Sequence, residues 1–336
     1  MILVTGGTGL VGSYLLCSLL KDGFEVKALH REESSFDVTK RIFGYLSDNP
    51  AQLFERVKWV KGDLLDFYSH TEALKDVDKV YHCAAIISFD PREKFKMIQA
   101  NIDGTSNLVN ACLAQGVRKI CHMSSIAALG RAENDSFIDE HTQWKPSRNN
   151  SGYAISKYGA EREVWRGAAE GLQVVIVNPS VILGAGDPTK SSVRLFHAIR
   201  KHSRYYTKGK NGYVDVRDVI MVMRMLMESS IISKRFVLNS QNLTYQELFT
   251  LIAEHCKTTI PQIRIPGIVL SLAWRIEKLR SLLTGKLPLI TRETARTSLN
   301  SSRYSSTEVI KALNIELIPI RQTIDDMCKF MKKEKM

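Results

Sequence analysis

Met1-Ile2-Leu3-Val4-Thr5-Gly6-Gly7-Thr8-Gly9-Leu10-Val11-Gly12 is the stretch on which the fold turns. Its first five residues form a short apolar run suited to a buried strand. A helical pattern follows the glycines, with Leu15, Leu16, Leu19 and Leu20 on one side. Strand, glycine turn and helix, in that order, give a glycine fingerprint its meaning. Glycine allows the tight turn and lets the backbone approach a pyrophosphate without a Cβ in the way. The helix start then offers free N–H groups and the positive end of its dipole. Gly6, Gly7, Thr8, Gly9, Leu10, Val11 and Gly12 are therefore expected to hold a dinucleotide.

Outward from this unit, strand patterns at 25–29, 57–60, 79–85, 119–125 and 173–178 alternate with helical ones, the longest at 93–115 and 151–170. Such alternation predicts an α/β fold, a doubly wound parallel sheet covered by helices on both faces. Past Pro179 the pattern loosens. Residues 192–201 look helical, 201–212 are polar and basic, 214–227 return to regular structure, and 235–239 read as one more core strand. Thr244 with Glu247 has the spacing of a helix-capping box. The expected division is a dinucleotide-binding domain over 1–180, to which 212–240 return, and a smaller substrate-binding lobe from 181–211 and 241–330.

The 336 residues carry 47 Lys and Arg against 35 Asp and Glu, a net charge of +12. Phosphates on a cofactor or an anionic substrate suit that balance. Nucleic acid is not expected, since no such binding motif is present and the basic residues are not interleaved with aromatics. The six cysteines, at 17, 83, 112, 121, 256 and 328, form no CxxC pair and read as reduced, buried thiols. His82-Cys83 and Cys121-His122 invite a metal reading. On strands, however, neighbouring side chains face opposite ways, so no metal site is expected. A structural strand starting at residue 1 or 2 leaves no room for a leader, and no apolar run reaches the ~20 residues of a membrane helix, so the chain is expected in the cytoplasm. Residues 268–283 are apolar with Arg275, Lys278 and Arg280 interspersed. An amphipathic helix over the substrate pocket is the preferred reading, with contact to a membrane surface as the alternative.

Chemistry concentrates in Tyr153-Ala154-Ile155-Ser156-Lys157, which sets a phenol and an ammonium one helical turn apart on one face. A nearby cation favours the phenolate, and a tyrosine lowered from its usual ~10 becomes an acid–base catalyst near neutral pH. Alone the pair is a weak signal. Here a strand ending in Met123-Ser124-Ser125 precedes it, at a carboxyl end where substrates sit, and the glycine turn opens the chain.

The three elements together resemble the extended short-chain dehydrogenase/reductases of the NAD-dependent epimerase/dehydratase superfamily, most strongly from Met1 to Asp187. The resemblance implies a Rossmann-type fold and a set of roles. Tyr153 matches the acid–base, Lys157 the residue that contacts the nicotinamide ribose and tunes the tyrosine, and Ser125 the hydrogen-bond donor to the reacting oxygen, with Ser124 as the adjacent alternative, expected to face away from that oxygen and counted among the cofactor contacts. Asp63 and Leu64 match the adenine contact, Cys83, Ala84 and Ala85 the small-residue turn beside the cofactor, Asn101 an asparagine near the active site, and Pro179 and Ser180 the loop beside the carboxamide. Homodimerisation through the helices at 93–115 and 151–170 is also implied.

An acid at the end of the second strand would bind the adenosine ribose hydroxyls; this chain has His30-Arg31 there. Arg31 could clamp a 2′-phosphate, which favours NADP over NAD, with Glu32 or Glu33 as ribose ligands in the opposite case. Asn178-Pro179-Ser180-Val181-Ile182-Leu183-Gly184 and Tyr213-Val214-Asp215-Val216-Arg217-Asp218-Val219 are similar to dihydroflavonol-reductase-like members. Epimerases usually carry arginine in place of Asn178, and Ala185 departs from a usual proline. The expected activity is hydride transfer between nicotinamide and a small carbonyl or hydroxyl compound, of the dihydroflavonol-reductase or hydroxysteroid-dehydrogenase kind. A nucleotide-sugar epimerase or dehydratase is the alternative, since residues 190–235 hold eleven basic and three acidic residues. A cofactor-sensing scaffold without turnover is the non-enzymatic alternative, against which the complete Ser125, Tyr153 and Lys157 set argues. Ile87, Ser125, Asn178, Arg194 and Arg217 are the candidate substrate contacts.

Overall fold

The computed structural model describes residues 1–88, 90–131, 136–188, 191–200, 204–285, 288 and 290–333. Seven parallel strands form the main sheet: β1 (Ile2–Thr5), β2 (Val26–His30), β3 (Lys58–Lys61), β4 (Lys79–His82), β5 (Lys119–Met123), β6 (Gln173–Pro179) and, after strands that lie elsewhere, β9 (Lys234–Leu238). Their spatial order is β9-β6-β5-β4-β1-β2-β3. The chain runs outward from β1 to β3 and then resumes on the other side of β1 with β4. That reversal opens a crevice at the carboxyl ends of β1 and β4, where doubly wound sheets bind ligands.

The central strands β1, β5 and β6, buried on both faces, explain the near-continuous apolar runs seen there in sequence. One face is covered by α1 (Leu10–Lys21), whose Leu15, Leu16, Leu19 and Leu20 pack into a core with Val4, Val26 and Val177. The other carries α2 (Lys94–Ala114) and α3 (Gly152–Ala169), with Leu108, Val109 and Val164 against Leu3, Val80 and Ile120. Further on come α4 (Val216–Glu228), α5 (Tyr245–Cys256), α6 (Gly267–Thr284) and α7 (Ile320–Lys333).

A second, three-stranded sheet joins β7 (Val181–Leu183), β8 (Lys210–Asp215) and β10 (Gln241–Thr244). The end of the polar, basic stretch at 201–212 is nevertheless in a strand: residues 210–213 pair antiparallel with 241–244; tertiary pairing overrides their polar character. Thr244 does cap α5 in a capping box with Glu247.

The cysteine expectation needs correcting. Cys17, Cys83, Cys112 and Cys121 are free and buried, but Cys256 and Cys328, 72 residues apart in sequence, are joined in a disulfide that ties α5 to α7. Their Cα atoms lie 5.7 Å apart, a normal span for the bond. Among the described residues no helix is long and apolar enough to cross a membrane, and no group of three metal-binding side chains comes together.

Candidate active site at the carboxyl edge of the sheet

The glycine turn is built for close approach. Gly6 has φ +72°, and a Cβ there would stand 2.7 Å from the Ala84 backbone nitrogen at the switch point. A Cβ on Gly12 would stand 2.1 Å from the Gly6 carbonyl oxygen. Gly9 caps α1 without a side chain, and the first turn holds no acid. This is a cradle that a pyrophosphate fits, with N–H groups and helix dipole directed at it. Thr5 secures its floor: its hydroxyl bonds His82 Nδ1 at 2.7 Å and accepts from the Ala84 N–H at 3.3 Å. At the far side of the crevice the Ser180 hydroxyl is buried with no protein partner among the described residues. A buried orphan donor of this kind suits a carboxamide.

Tyr153 sits in the first turn of α3, partly exposed. The turn is fixed from several sides. The Ser151 hydroxyl accepts from the Ala154 N–H at 2.9 Å, and the Ser156 hydroxyl donates to the Tyr153 carbonyl at 2.8 Å. Ser125 lies just past β5, 9% exposed, its hydroxyl close enough to the Tyr153 phenol to favour the phenolate. Burial pushes the Tyr153 phenol up, and the nearby Ser125 hydroxyl pulls it back in part. The lowering by Lys157 expected from sequence is not found. The Lys157 ammonium, 3% exposed, donates to the Met123 carbonyl at 2.9 Å and is itself pushed down to about 8, mainly by burial, against the opposing pull of Cys83 and Glu161.

Several predicted contacts turn out to be supports. Asn101 is 3% exposed; its carbonyl oxygen accepts from the Ile86 N–H at 2.7 Å, and its amide donates to Ile86 O at 2.9 Å and to Ser156 Oγ at 3.0 Å. It clamps the loop after β4 to α3, and its amide is spent on protein. Ser124 donates to Glu161 at 2.6 Å, away from Ser125's partner. Asn178, expected to touch substrate, is fully buried, and its amide donates to Ser125 O at 3.0 Å and to Glu161 at 2.8 Å. Arg217 points inward, but toward Asp215 at 2.7 Å and Asp326 at 2.9 Å, so its charge is already matched. Arg194 is exposed, its helix (Ser191–Arg200) turning other residues inward. Lys190 and Lys201 of the basic stretch lie outside the described residues. Arg224 and Arg235 are also paired, with Asp22 and Glu161, which breaks up the positive field expected there.

The remaining contacts lie around the crevice. Asp63 accepts from the Leu65 N–H at 2.8 Å, and the Leu64 carbonyl is held by His70 at 2.9 Å. Cys83 is buried, Ala84 and Ala85 are half-buried, and Ile87 is 50% exposed. Pro179 closes β6. His30 turns its ring against Phe36 and Trp59, while Arg31 is exposed, 3.3 Å from Glu33; Glu32 pairs with Lys61 at 2.8 Å.

Sequence reasoning missed Glu161. Only 2% exposed, it collects Ser124, Asn178, Trp165 at 3.3 Å and Arg235 at 3.0 Å beneath the site. The signal was available: 153, 157 and 161 share one helix face. His122, opposite His82 across β4 and β5 with rings 5.0 Å apart, was set aside with the metal reading; burial drives both imidazoles neutral.

The model of the NAD dependent epimerase/dehydratase family matches residues 2–238. The chain belongs to that family. It is 28% identical to sterol demethylase protein B of Methylococcus capsulatus over 79% of this chain and 77% of that one. It is 29% identical to cinnamoyl-CoA reductase 1 of Petunia hybrida over 70% and 72%. To the bifunctional dihydroflavonol 4-reductase/flavanone 4-reductase of Malus domestica it is 26% identical over 79% and 78%. The Thermus thermophilus UDP-glucose 4-epimerase, solved in complex with NAD, shares the fold, with a TM-score of 0.74 at 20% identity over 98% of each chain.

Proposed function

We propose that this protein is an NAD(P)-dependent oxidoreductase acting on a small carbonyl or hydroxyl compound. The observation that carries the reading is the placement of Ser125 beside Tyr153 at the carboxyl edge of a sheet whose first turn is a glycine cradle. Gly6 to Gly12 would hold the pyrophosphate, Asp63 and Leu64 the adenine, and Ser180 the carboxamide. When bound, the nicotinamide supplies or takes up the hydride. In reduction, Tyr153 would give its proton to the carbonyl oxygen while Ser125 holds that oxygen. Lys157 adds a positive charge nearby. A phenol pushed upward stays protonated at neutral pH, which suits reduction; the reverse reaction needs the phenolate and gains at higher pH.

Relatives named as reductases of cinnamoyl-CoA and dihydroflavonols support carbonyl reduction here. NADP is the preferred cofactor in this reading, because Arg31 is exposed at the end of β2 while Glu32 is occupied by Lys61. A nucleotide-sugar epimerase would need a free cation for its diphosphate, whereas Arg217 is held between two carboxylates. The reading includes a cytoplasmic homodimer joined through α2 and α3, checked by light scattering. A thermal-shift panel of NAD, NADP and nucleotide sugars tests the whole, since a ligand that binds only the folded chain raises its melting temperature. A shift with NADP and none with a UDP- or GDP-sugar supports the reductase; a sugar-nucleotide shift overturns it.

A further inference from the structure

Helix α6 is built inside out. Ile268, Leu272, Ile276, Leu279 and Leu283 recur at intervals of four, four, three and four, which puts them on one face. That face is turned outward, with Ile268 85% and Leu283 79% exposed. Leu270, at 6%, marks the inward face, where Glu277 and Ser281 also lie. The expectation of an apolar helix lid closed over a pocket therefore fails for these side chains. So many exposed aliphatic groups in one stretch signal an interaction surface.

Charge selects the occupant. Arg275 and Lys278 are exposed beside the aliphatic stripe, and Arg275 stacks over the Trp274 ring at 4.7 Å. The single acid of the helix, Glu277, is turned inward and bonded to Arg280 at 2.8 Å. A second copy laid on this face would set cations against cations. An anionic lipid surface meets both the aliphatic stripe and its cations. The helix is about 27 Å long, carries four charges and cannot cross a bilayer; it suits lying flat in the headgroup region.

One end of α6 reaches the loop that follows β4, where the Gly285 carbonyl accepts from Arg92 at 3.5 Å. At the other end a cavity of about 500 Å³ opens between Lys208, Arg264, Ile265, Pro266 and Leu299. We propose that α6 docks this protein onto anionic membrane surfaces.

Vesicle flotation tests this with the full chain, using phosphatidylcholine vesicles with and without phosphatidylglycerol. The wild type should float with the anionic vesicles and be released several-fold by high salt. Leu272→Ser with Ile276→Ser should cut the bound fraction roughly tenfold while the melting temperature and its shift by NADP stay unchanged, since both positions are exposed. Arg275→Ala with Lys278→Ala should lose the preference for anionic vesicles. Wild-type protein left at the bottom of the gradient overturns the proposal, as do variants that float like wild type. A solution dimer that Leu272→Ser with Ile276→Ser converts to monomer would assign the face to a second copy instead. Flotation requires neither turnover nor cofactor, so its result stands apart from the proposed chemistry.

Discussion

Ser125, at the end of β5, stands beside the Tyr153 phenol in the first turn of α3, bringing together two segments 28 residues apart in sequence. Neither residue is held by chance. Asn178 fixes the Ser125 backbone from below, and Ser151 and Ser156 fix the turn that carries Tyr153. Catalytic geometry survives only when such supports are rigid. The predictions below probe those supports first and then the chemistry.

Glu161 and Arg235 form the buried charge pair under the site, with the Glu161 side chain 3% and that of Arg235 23% exposed. Removing one partner leaves the other uncompensated, which costs about 3 kcal/mol or more in buried pairs. Arg235→Leu is expected to lower the melting temperature clearly, and Arg235→Leu with Glu161→Leu to recover much of the loss. Equal damage in single and double variants would mean that the pair contributes by packing alone.

Acid should destabilise the fold through its buried imidazoles. Burial lowers His82 from 6.5 to about 3, and His122 moves in the same direction. Between those values the unfolded chain binds more protons than the folded one, so stability falls as pH drops below 6.5. Asp218, raised to about 6, works in the opposite sense over part of that range. His122→Leu should therefore flatten the pH dependence of the melting temperature between 6.5 and 5; an unchanged slope would remove His122 from the account.

Reduction of the Cys256–Cys328 bond opens a long loop in the unfolded chain. The expected loss is about 2–4 kcal/mol, read as a drop in melting temperature with dithiothreitol. Cys256→Ser should show the same drop and no further response to the reductant.

Arg31→Ala should weaken NADP binding far more than NAD binding, because only NADP carries the 2′-phosphate. Titration of each cofactor against both proteins measures this, and equal weakening would remove the argument for NADP.

The sheet and its cofactor turn were legible because apolar runs and glycine spacing are local signals. The glycine turn, the strands around it and Tyr153 beside Ser125 all follow from short stretches of chain. What stayed hidden depends on partners distant in sequence. Asn178 reads as a substrate contact until the structure turns its amide onto Ser125 and Glu161. Arg217 reads as an anion ligand until Asp326, more than a hundred residues on, arrives beside it. Cys256 and Cys328 give no spacing signal at all. The apolar periodicity of α6 is plain in the sequence, but periodicity alone does not say which way a face points.

The central claim is that the Tyr153 hydroxyl is the proton donor. Turnover of a carbonyl substrate by Tyr153→Phe, with cofactor affinity measured on the same preparation, tests it most directly. The account predicts a fall in turnover of roughly a hundredfold or more with NADP affinity within about twofold of wild type. Turnover near the wild-type rate in that variant would contradict it.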